Sequence, residues 1–202
     1  MAHILSIGVG LFSDVSFSTD LASFSMVNAA TLTEANWRTL FGTEVLDNVA
    51  GGGAGAFRRI YNIRELPQMG VPPNIVNVPN YGTKASKQIQ GQADSPSFEI
   101  VLNYVPQAWQ DTANYIGDYV GNSFVYPFRF TLLNTEPTGG GTAAVRWASL
   151  NAAAFGLGTV ANSQYFFAGK LEALQINPQL TDANQATLTV SMQSDLYGPY
   201  TI

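Results

Sequence analysis

The sequence predicts a mainly β fold, an antiparallel β-sandwich or partial barrel with one flanking α-helix and long loop excursions. Three observations predict it: strand-like alternation recurs along the chain, one segment has clear helical spacing, and Gly- and Pro-rich stretches separate the strands. A sheet with one apolar face must bury that face against a second layer. With 202 residues, the chain suits one domain that buries a core of its own.

The central segment, 82–195, is predicted to form the sandwich, beginning with a hairpin and a helix. Residues 86–93 alternate Gln with smaller or apolar residues, and Asp94-Ser95-Pro96 predicts a turn. Pro106 ends the second strand and can open an amphipathic helix over 106–121, after which Gly121 suits the C′ position. One face of that second strand carries the core residues Phe98, Ile100, Leu102 and Tyr104.

The first part of the chain carries weaker signals. Residues 1–28 are Ser-rich with interspersed apolar residues, and we interpret them as an N-terminal arm with the first strands. A short helix is predicted from Thr33, a suitable N-cap, with an apolar stripe at Trp37, Leu40, Phe41 and Val45. Residues 43–81 combine a run of glycines with four prolines, which predicts a long loop or hairpin excursion.

Four more strands are predicted in the second half, the shortest over 145–150. Alternating aromatic residues mark 124–132, and a longer strand over 165–176 changes face partway, which predicts a bulge near Gly169. Residues 186–193 alternate most clearly, with Ala186, Leu188, Val190 and Met192 on one face. Residues 196–202 are expected to form a short C-terminal tail.

Charge is scarce in this chain. Charged residues make up 11% of it, against about 25% in a typical soluble protein, and the net charge is −5. The acidic balance argues against a protein that clamps nucleic-acid phosphates. The low charge content has two explanations: a monomer with a neutral polar surface, or an assembly in which much of the surface is buried against other subunits. We favour the assembly. No apolar run approaches the ~20 residues of a membrane helix, so no membrane partner is expected.

The residues that would support catalysis or metal binding are absent or scattered. There is no cysteine and a single histidine, His3, near the N-terminus. The Gly51-Gly52-Gly53-Ala54-Gly55 run lacks the Lys-Ser/Thr ending of a phosphate loop, and it also lacks the strand and helix of a dinucleotide loop. We therefore expect no enzyme activity, no catalytic or metal-binding residues and no cofactor.

The sequence contains one basic cluster, formed by Arg58, Arg59 and Arg64. One interpretation is an ion-pair patch between subunits or a contact to an acidic surface. The other is a solvated strand or loop face.

From about Gly82 to Asp195 the chain resembles the tail tube (major tail) protein of long, non-contractile bacteriophage tails. The matching pattern is a Gly/Gln-rich strand leading through QIQGQADSPSFEIVLNYVP into a helix, then VYPFRF, FFAGKLEAL and ATLTVSMQSD. The order and spacing match, although no single motif is diagnostic.

The resemblance implies a β-sandwich with a flanking helix that assembles into hexameric rings. Such rings stack into a hollow tube through which the DNA genome passes during ejection. Sheets of neighbouring subunits join, and a long loop and the termini hold adjacent rings together. In such an assembly, we predict that Arg58, Arg59 and Arg64 make an inter-ring contact. The implied partners are further copies of the chain, tail terminator and tail tip proteins, and double-stranded DNA that passes without sticking. The implied location is the virion, after assembly in the host bacterial cytoplasm.

We predict a set of lumen-lining residues from shared strand parity and the lack of basic groups. The alternative is that these faces are ordinary solvent or inter-sheet surface. The predicted set is Gln88, Gln90, Gln92, Glu99, Thr187, Thr189, Ser191 and Gln193.

A second function class remains open on sequence grounds. The chain could be a monomeric β-sandwich binding module, either carbohydrate-binding or capsid-decorating. Such a module would require a surface cluster of aromatic residues, whereas most Phe and Tyr residues here follow strand or helix periodicity.

Overall fold

The structure is a computed structural model that describes thirteen parts of the chain. These parts are residues 13–19, 21, 24, 31–41, 45–46, 57–60, 62–70, 75–79, 81–82, 87–90, 96–106, 116–133 and 162–201. Within them the chain forms eleven strands and one short α-helix, α1 (Glu34–Thr39). The strands are β1 (Asp14–Ser18), β2 (Val45–Leu46), β3 (Phe57–Arg59), β4 (Ile63–Glu65), β5 (Ile75–Val78), β6 (Lys87–Gln90), β7 (Ser97–Asn103), β8 (Tyr126–Leu132), β9 (Ser163–Asn177), β10 (Gln185–Met192) and β11 (Tyr197–Thr201).

Nine of these strands form one sheet that curls into a half-barrel. Its order is β2-β3-β1-β8-β9-β10-β7-β4, and β11 also pairs with β9. Every pairing is antiparallel except that of β2 with β3. The predicted mainly β class is thus confirmed, in its partial-barrel form.

The segment between β3 and β4 connects strands that lie towards opposite ends of the sheet order. The Ile60 N–H donates to the Val15 carbonyl of β1, at 2.9 Å. Two residues later, the Asn62 carbonyl accepts from the Asn103 N–H of β7, also at 2.9 Å. Asn62 has φ of 58°, a left-handed conformation that asparagine tolerates better than most residues. The chain therefore links β1 and β7, which are otherwise separated by three strands.

The concave face of the sheet holds the main core. Phe17, Phe128 and Phe167 are fully buried there, and the last two rings stack with centroids 4.9 Å apart. The predicted inner residues Phe98, Ile100 and Leu102 of β7 and Leu188, Val190 and Met192 of β10 belong to the same cluster, and Ala186 is also fully buried. The predicted bulge exists in β9, but it lies opposite Thr189 and Val190 rather than at Gly169. Val190 pairs with Leu171 and Thr189 with Ala173, which leaves Glu172 as the extra residue.

Helix α1 covers the outer face of the sheet at β9. Its N-cap is Thr33, as predicted, with a side chain that accepts from the Asn36 N–H. Trp37 is fully buried and stacks on Phe166, with ring centroids 5.7 Å apart and planes at 16°. A second buried cluster forms here from Phe24, Trp37, Leu40, Phe41, Phe166 and Ala168.

The flanking helix predicted over 106–121 falls largely outside the described residues. Of that range, the structure describes Pro106 and residues 116–121, and Ile116–Tyr119 form a 3-10 helix whose Ile116 is buried in the core. Gly121 has φ of +75°, the left-handed conformation expected of a residue that ends a helix. The helix seen to flank the sheet is α1.

Three predicted segments contain strands of the main sheet. The excursion over 43–81 contains β3 and β4, and Ile60 between them is a core residue. The β-rich composition of residues 57–66 indicates strand structure here, although strands of three residues are too short to show a period. The C-terminal tail over 196–202 contains β11, which pairs with the start of β9. The arm predicted over 1–28 contains β1, and residues 1–12 lie outside the described part.

Strands β5 and β6 form a separate two-stranded sheet. Each of its residues whose side chain is described is exposed. By register, Val76, Val78 and Ile89 share one face, whereas Ile75, Asn77, Gln88 and Gln90 share the other. This hairpin therefore contributes nothing to either buried cluster.

Candidate assembly surfaces

The outer face of β7 and β10 gathers four of the eight predicted lumen residues. Thr189 lies directly opposite Glu99, and Thr187 and Ser191 flank it on the same face of β10. The threonines and Ser191 are half-buried, whereas Glu99 is exposed. Gln193 follows the end of β10, is exposed, and donates from Nε2 to Ser191 Oγ at 3.2 Å. That these residues line a lumen remains a prediction.

This outer face is polar, but it also carries charges that the prediction did not include. The Ser191 hydroxyl donates to Glu172 Oε1, and Lys170 lies opposite Ser191 in the register. Glu172 is the bulged residue of β9, so the bulge places its carboxylate on this surface. Glu99, Lys170 and Glu172 together leave an excess of one negative charge.

The remaining predicted lumen residues lie elsewhere. Gln88 and Gln90 are exposed on the β5–β6 hairpin, which belongs to a different sheet. Gln92 lies outside the described residues. The predicted set is therefore divided between two surfaces, because strand parity identifies a face of a strand but does not show which sheet the strand joins.

Within the described part of the chain, the second half of β9 has a partner strand on one side only, and the Gly121 N–H donates to the Leu171 carbonyl where that stretch begins, at 2.8 Å. Strand β8 pairs with β9 only over Ser163 to Gly169, and β10 occupies the other side from Gly169 to Asn177. Among the described residues, no strand pairs with 172–177 on the side of β8. An edge of this kind presents backbone groups that another strand can pair with.

The three predicted contact arginines are separated in the structure. Arg58 is 1% exposed and lies opposite Phe17, so its side chain points into the subunit. Arg59 donates from Nε to Asp14 Oδ1 at 2.8 Å on the other face of β3. Arg64 lies on β4, at the opposite end of the sheet order, and forms an exposed pair with Asp182 at 3.0 Å. Of the three, only Arg64 is exposed, and its contact with another ring stays a prediction.

Sequence reasoning missed a buried charge cluster beneath α1. Asp14 lies between Arg59, at 2.8 Å, and Arg129, whose Nη2 is 3.9 Å from Asp14 Oδ2. Arg129 also donates to Ser16 Oγ and lies 5.0 Å from the centre of the Phe41 ring. Burial lowers the pKa of Arg129 to about 10, although Asp14 opposes that shift. The available signal was Arg129 itself, a charged residue within an aromatic strand.

Tyr126 makes the stability of the fold depend on pH in the alkaline range. Burial raises the pKa of its phenol above the usual value, against the opposing effect of the Asn122 side chain, which donates to Tyr126 Oη at 2.7 Å. The pKa of Tyr126 is therefore higher in the folded state than in the unfolded state. Its neutral phenol contributes fully to the stability of the fold below the unfolded pKa of about 10, and this contribution is lost as pH rises through the folded pKa.

We therefore expect Tyr126→Phe to lose less stability than the wild type between about pH 9 and 11. Urea unfolding midpoints measured across that range test this. Parallel curves for the two proteins would contradict the assignment.

Within the described residues, no group of three or more His, Asp or Glu side chains is arranged to hold a metal ion. No helix in that part of the chain is long and apolar enough to cross a membrane.

Comparison with known proteins gives a match in fold. No family model and no curated protein sequence matches the chain. Among solved structures, the chain is similar to the sheath/tube terminator of PVC, an extracellular contractile injection system, determined by cryo-EM in the extended state. The identity is 11% and the TM-score 0.50, and the match covers 97% of this chain and 98% of that one. At an identity this low, the structural match shows that the two proteins share a fold and shows nothing further.

Proposed function

We propose that this chain is a structural protein of a phage-type tail, and more specifically a subunit of its tube. Copies would form hexameric rings that stack into a hollow conduit for DNA. The observation that carries the proposal is the match in fold to a tail-type component over nearly the whole of both chains. The sequence resemblance over 82–195 points to the same class of assembly from independent features.

Two surface features support assembly with further copies. The edge of β9 over residues 172–177, which has no partner strand among the described residues, offers backbone donors and acceptors, and joining a neighbour's strand would remove that edge. The β5–β6 hairpin exposes Val76 at 48% and Ile89 at 56% on one face. An isolated two-stranded hairpin is marginally stable in water, so a second surface packed against this face would stabilise it.

The proposed mechanism is passive. A ring of six chains, each with a net charge of −5, repels DNA phosphates. Glu99 and its polar neighbours on β10 would present hydrogen-bonding groups without a positive field, so that DNA slides past. The chain would need no catalytic group or cofactor. It would reside in the virion after assembly in the bacterial cytoplasm, with terminator and tip proteins at the two ends of the tube.

A second candidate is a terminator that caps a tube, which the name of the structural neighbour favours. Native mass spectrometry over a concentration series separates the two roles. A tube subunit gives a species of six 21.7-kDa chains and then larger multiples. A cap gives a closed ring that does not grow.

We expect the hairpin to serve assembly and not folding. Replacing 75–90 with a short Gly-Ser linker should leave the thermal unfolding midpoint nearly unchanged, because its described side chains are exposed. Sedimentation velocity should show loss of the species larger than one ring. Replacing only Asn77 and Gln88 with serine provides the matched control, since it retains the apolar face. Collapse of the fold in the linker variant would place the hairpin in the core and contradict this role.

A further inference from the structure

An apolar groove opens at the rim of the main core, where β8 ends and β9 begins. Its volume is about 190 Å³. A cavity of about 150 Å³ with apolar walls accepts a benzene ring, so this groove has room for one large apolar side chain. None of its lining residues is charged. They are Pro67, Met69, Phe130, Leu132, Tyr165 and Leu196.

The part of the chain that the structure describes begins beside one wall of this groove. Val15 of β1 lies directly opposite Phe130, which lines the groove. The two strands are antiparallel, so the same register continued by two residues places Ser13 beside Leu132, another lining residue. Residues 1–12 therefore join the fold at the edge of the groove.

The segment before Ser13 has the sequence pattern of a strand in phase with β1. Residues at every second position of an extended chain share one face. The odd positions of this segment are apolar, and they continue the face of Val15 and Phe17, which points into the core. Residues 4–13 carry no charge. The apolar residues are Leu5, Ile7, Val9 and Leu11, and those between them are Ser6, Gly8 and Gly10.

We propose that residues 5–11 continue β1 along the groove of their own subunit, and that Leu11 inserts its side chain there. Leu11 is the apolar residue of this face nearest to Ser13, at a reach of about 7 Å along an extended chain. The covalent link keeps its effective concentration at the groove high, which favours this occupant over a free apolar molecule. The contact lies within one subunit, so it does not depend on the proposed self-assembly.

Cysteine cross-linking tests the contact directly, because the natural chain has no cysteine. A disulfide requires Cα atoms within about 7 Å and Cβ atoms that face each other. In dilute solution, the Leu11→Cys/Met69→Cys protein should oxidise to an internally bridged monomer that has lost both free thiols. Gly10→Cys/Met69→Cys is the matched control, since position 10 has a similar reach but the opposite face, and it should retain its thiols.

A second measurement does not depend on cysteine geometry. Leu11→Asp should raise the equilibrium constant for unfolding by about tenfold or more, because it removes a buried leucine side chain. Ser6→Asp adds the same charge to the same segment on the opposite face, so it should keep the wild-type midpoint in urea.

Three results would each overturn this contact. Equal oxidation of the two cysteine pairs would mean that the segment has no fixed face toward the groove. Covalent dimers of Leu11→Cys/Met69→Cys in dilute solution would place the segment in the groove of a second copy. A Leu11→Asp protein with the wild-type midpoint would mean that Leu11 is not buried. None of these results bears on the proposed tube.

Discussion

Replacing Asp14 with asparagine is expected to lower the free energy of unfolding by about 3–5 kcal/mol. The change leaves Arg129, which is 2% exposed, without its nearest negative charge, and removes the carboxylate bonded to Arg59. A buried charge that loses its partner retains its full desolvation cost, so the loss exceeds the net value of the pair. Urea denaturation followed by circular dichroism measures the change.

Two controls accompany this variant. Asp182→Asn breaks the exposed Arg64–Asp182 pair and should not shift the unfolding midpoint measurably. Combining Asp14→Asn with Arg129→Met removes both buried charges and should recover a large part of the lost stability. If Asp14→Asn unfolds at the same urea concentration as Asp182→Asn, the cluster does not hold the outer face of the sheet together.

Replacing Trp37 with alanine should cost about 3–5 kcal/mol. The indole is fully buried, stacks on Phe166, and lies 5.5 Å from the Tyr197 ring. It anchors the two-turn helix α1, which is too short to persist without tertiary packing. We also expect faster amide exchange at Tyr197 and Tyr200 of β11, whose rings pack against this cluster.

The neighbouring position Asn36 provides the matched control for this substitution. Its side chain is exposed on the same helix, so Asn36→Ala should leave stability almost unchanged. A Trp37→Ala protein with wild-type stability would mean that α1 does not cover the sheet in solution.

Much of the fold could be predicted where the sequence has a clear local period. The alternation in 186–193 predicted the inner face of β10 correctly. The cap at Thr33 and the stripe with Trp37, Leu40 and Phe41 predicted α1, but the helix ends at Thr39, and Val45, the last residue of the predicted stripe, lies in β2. The change of face within β9 predicted a bulge, although its position was displaced by about three residues. In each case one strand or helix contains the whole signal.

The rest depends on partners that are distant in sequence. Arg59 and Asp14 are 45 residues apart in the sequence, and Asn62 and Asn103 are separated by a similar distance. Neither contact produces a periodic pattern in the sequence from which it could be predicted. The same reason explains the candidate surfaces. Glu99 and Thr189 could be matched by parity, but the assignment of Gln88 to a separate hairpin required the sheet topology. Arg58 and Arg64 are six positions apart in sequence, yet one is buried and the other exposed on a different strand.

Negative-stain electron microscopy of the concentrated wild-type protein tests the tube proposal most directly. The expected result is rings with a central channel that stack into striated tubes, and whose image averages show sixfold symmetry. A field of single 21.7-kDa particles, without rings at any concentration, would contradict the proposal and favour a monomeric binding module.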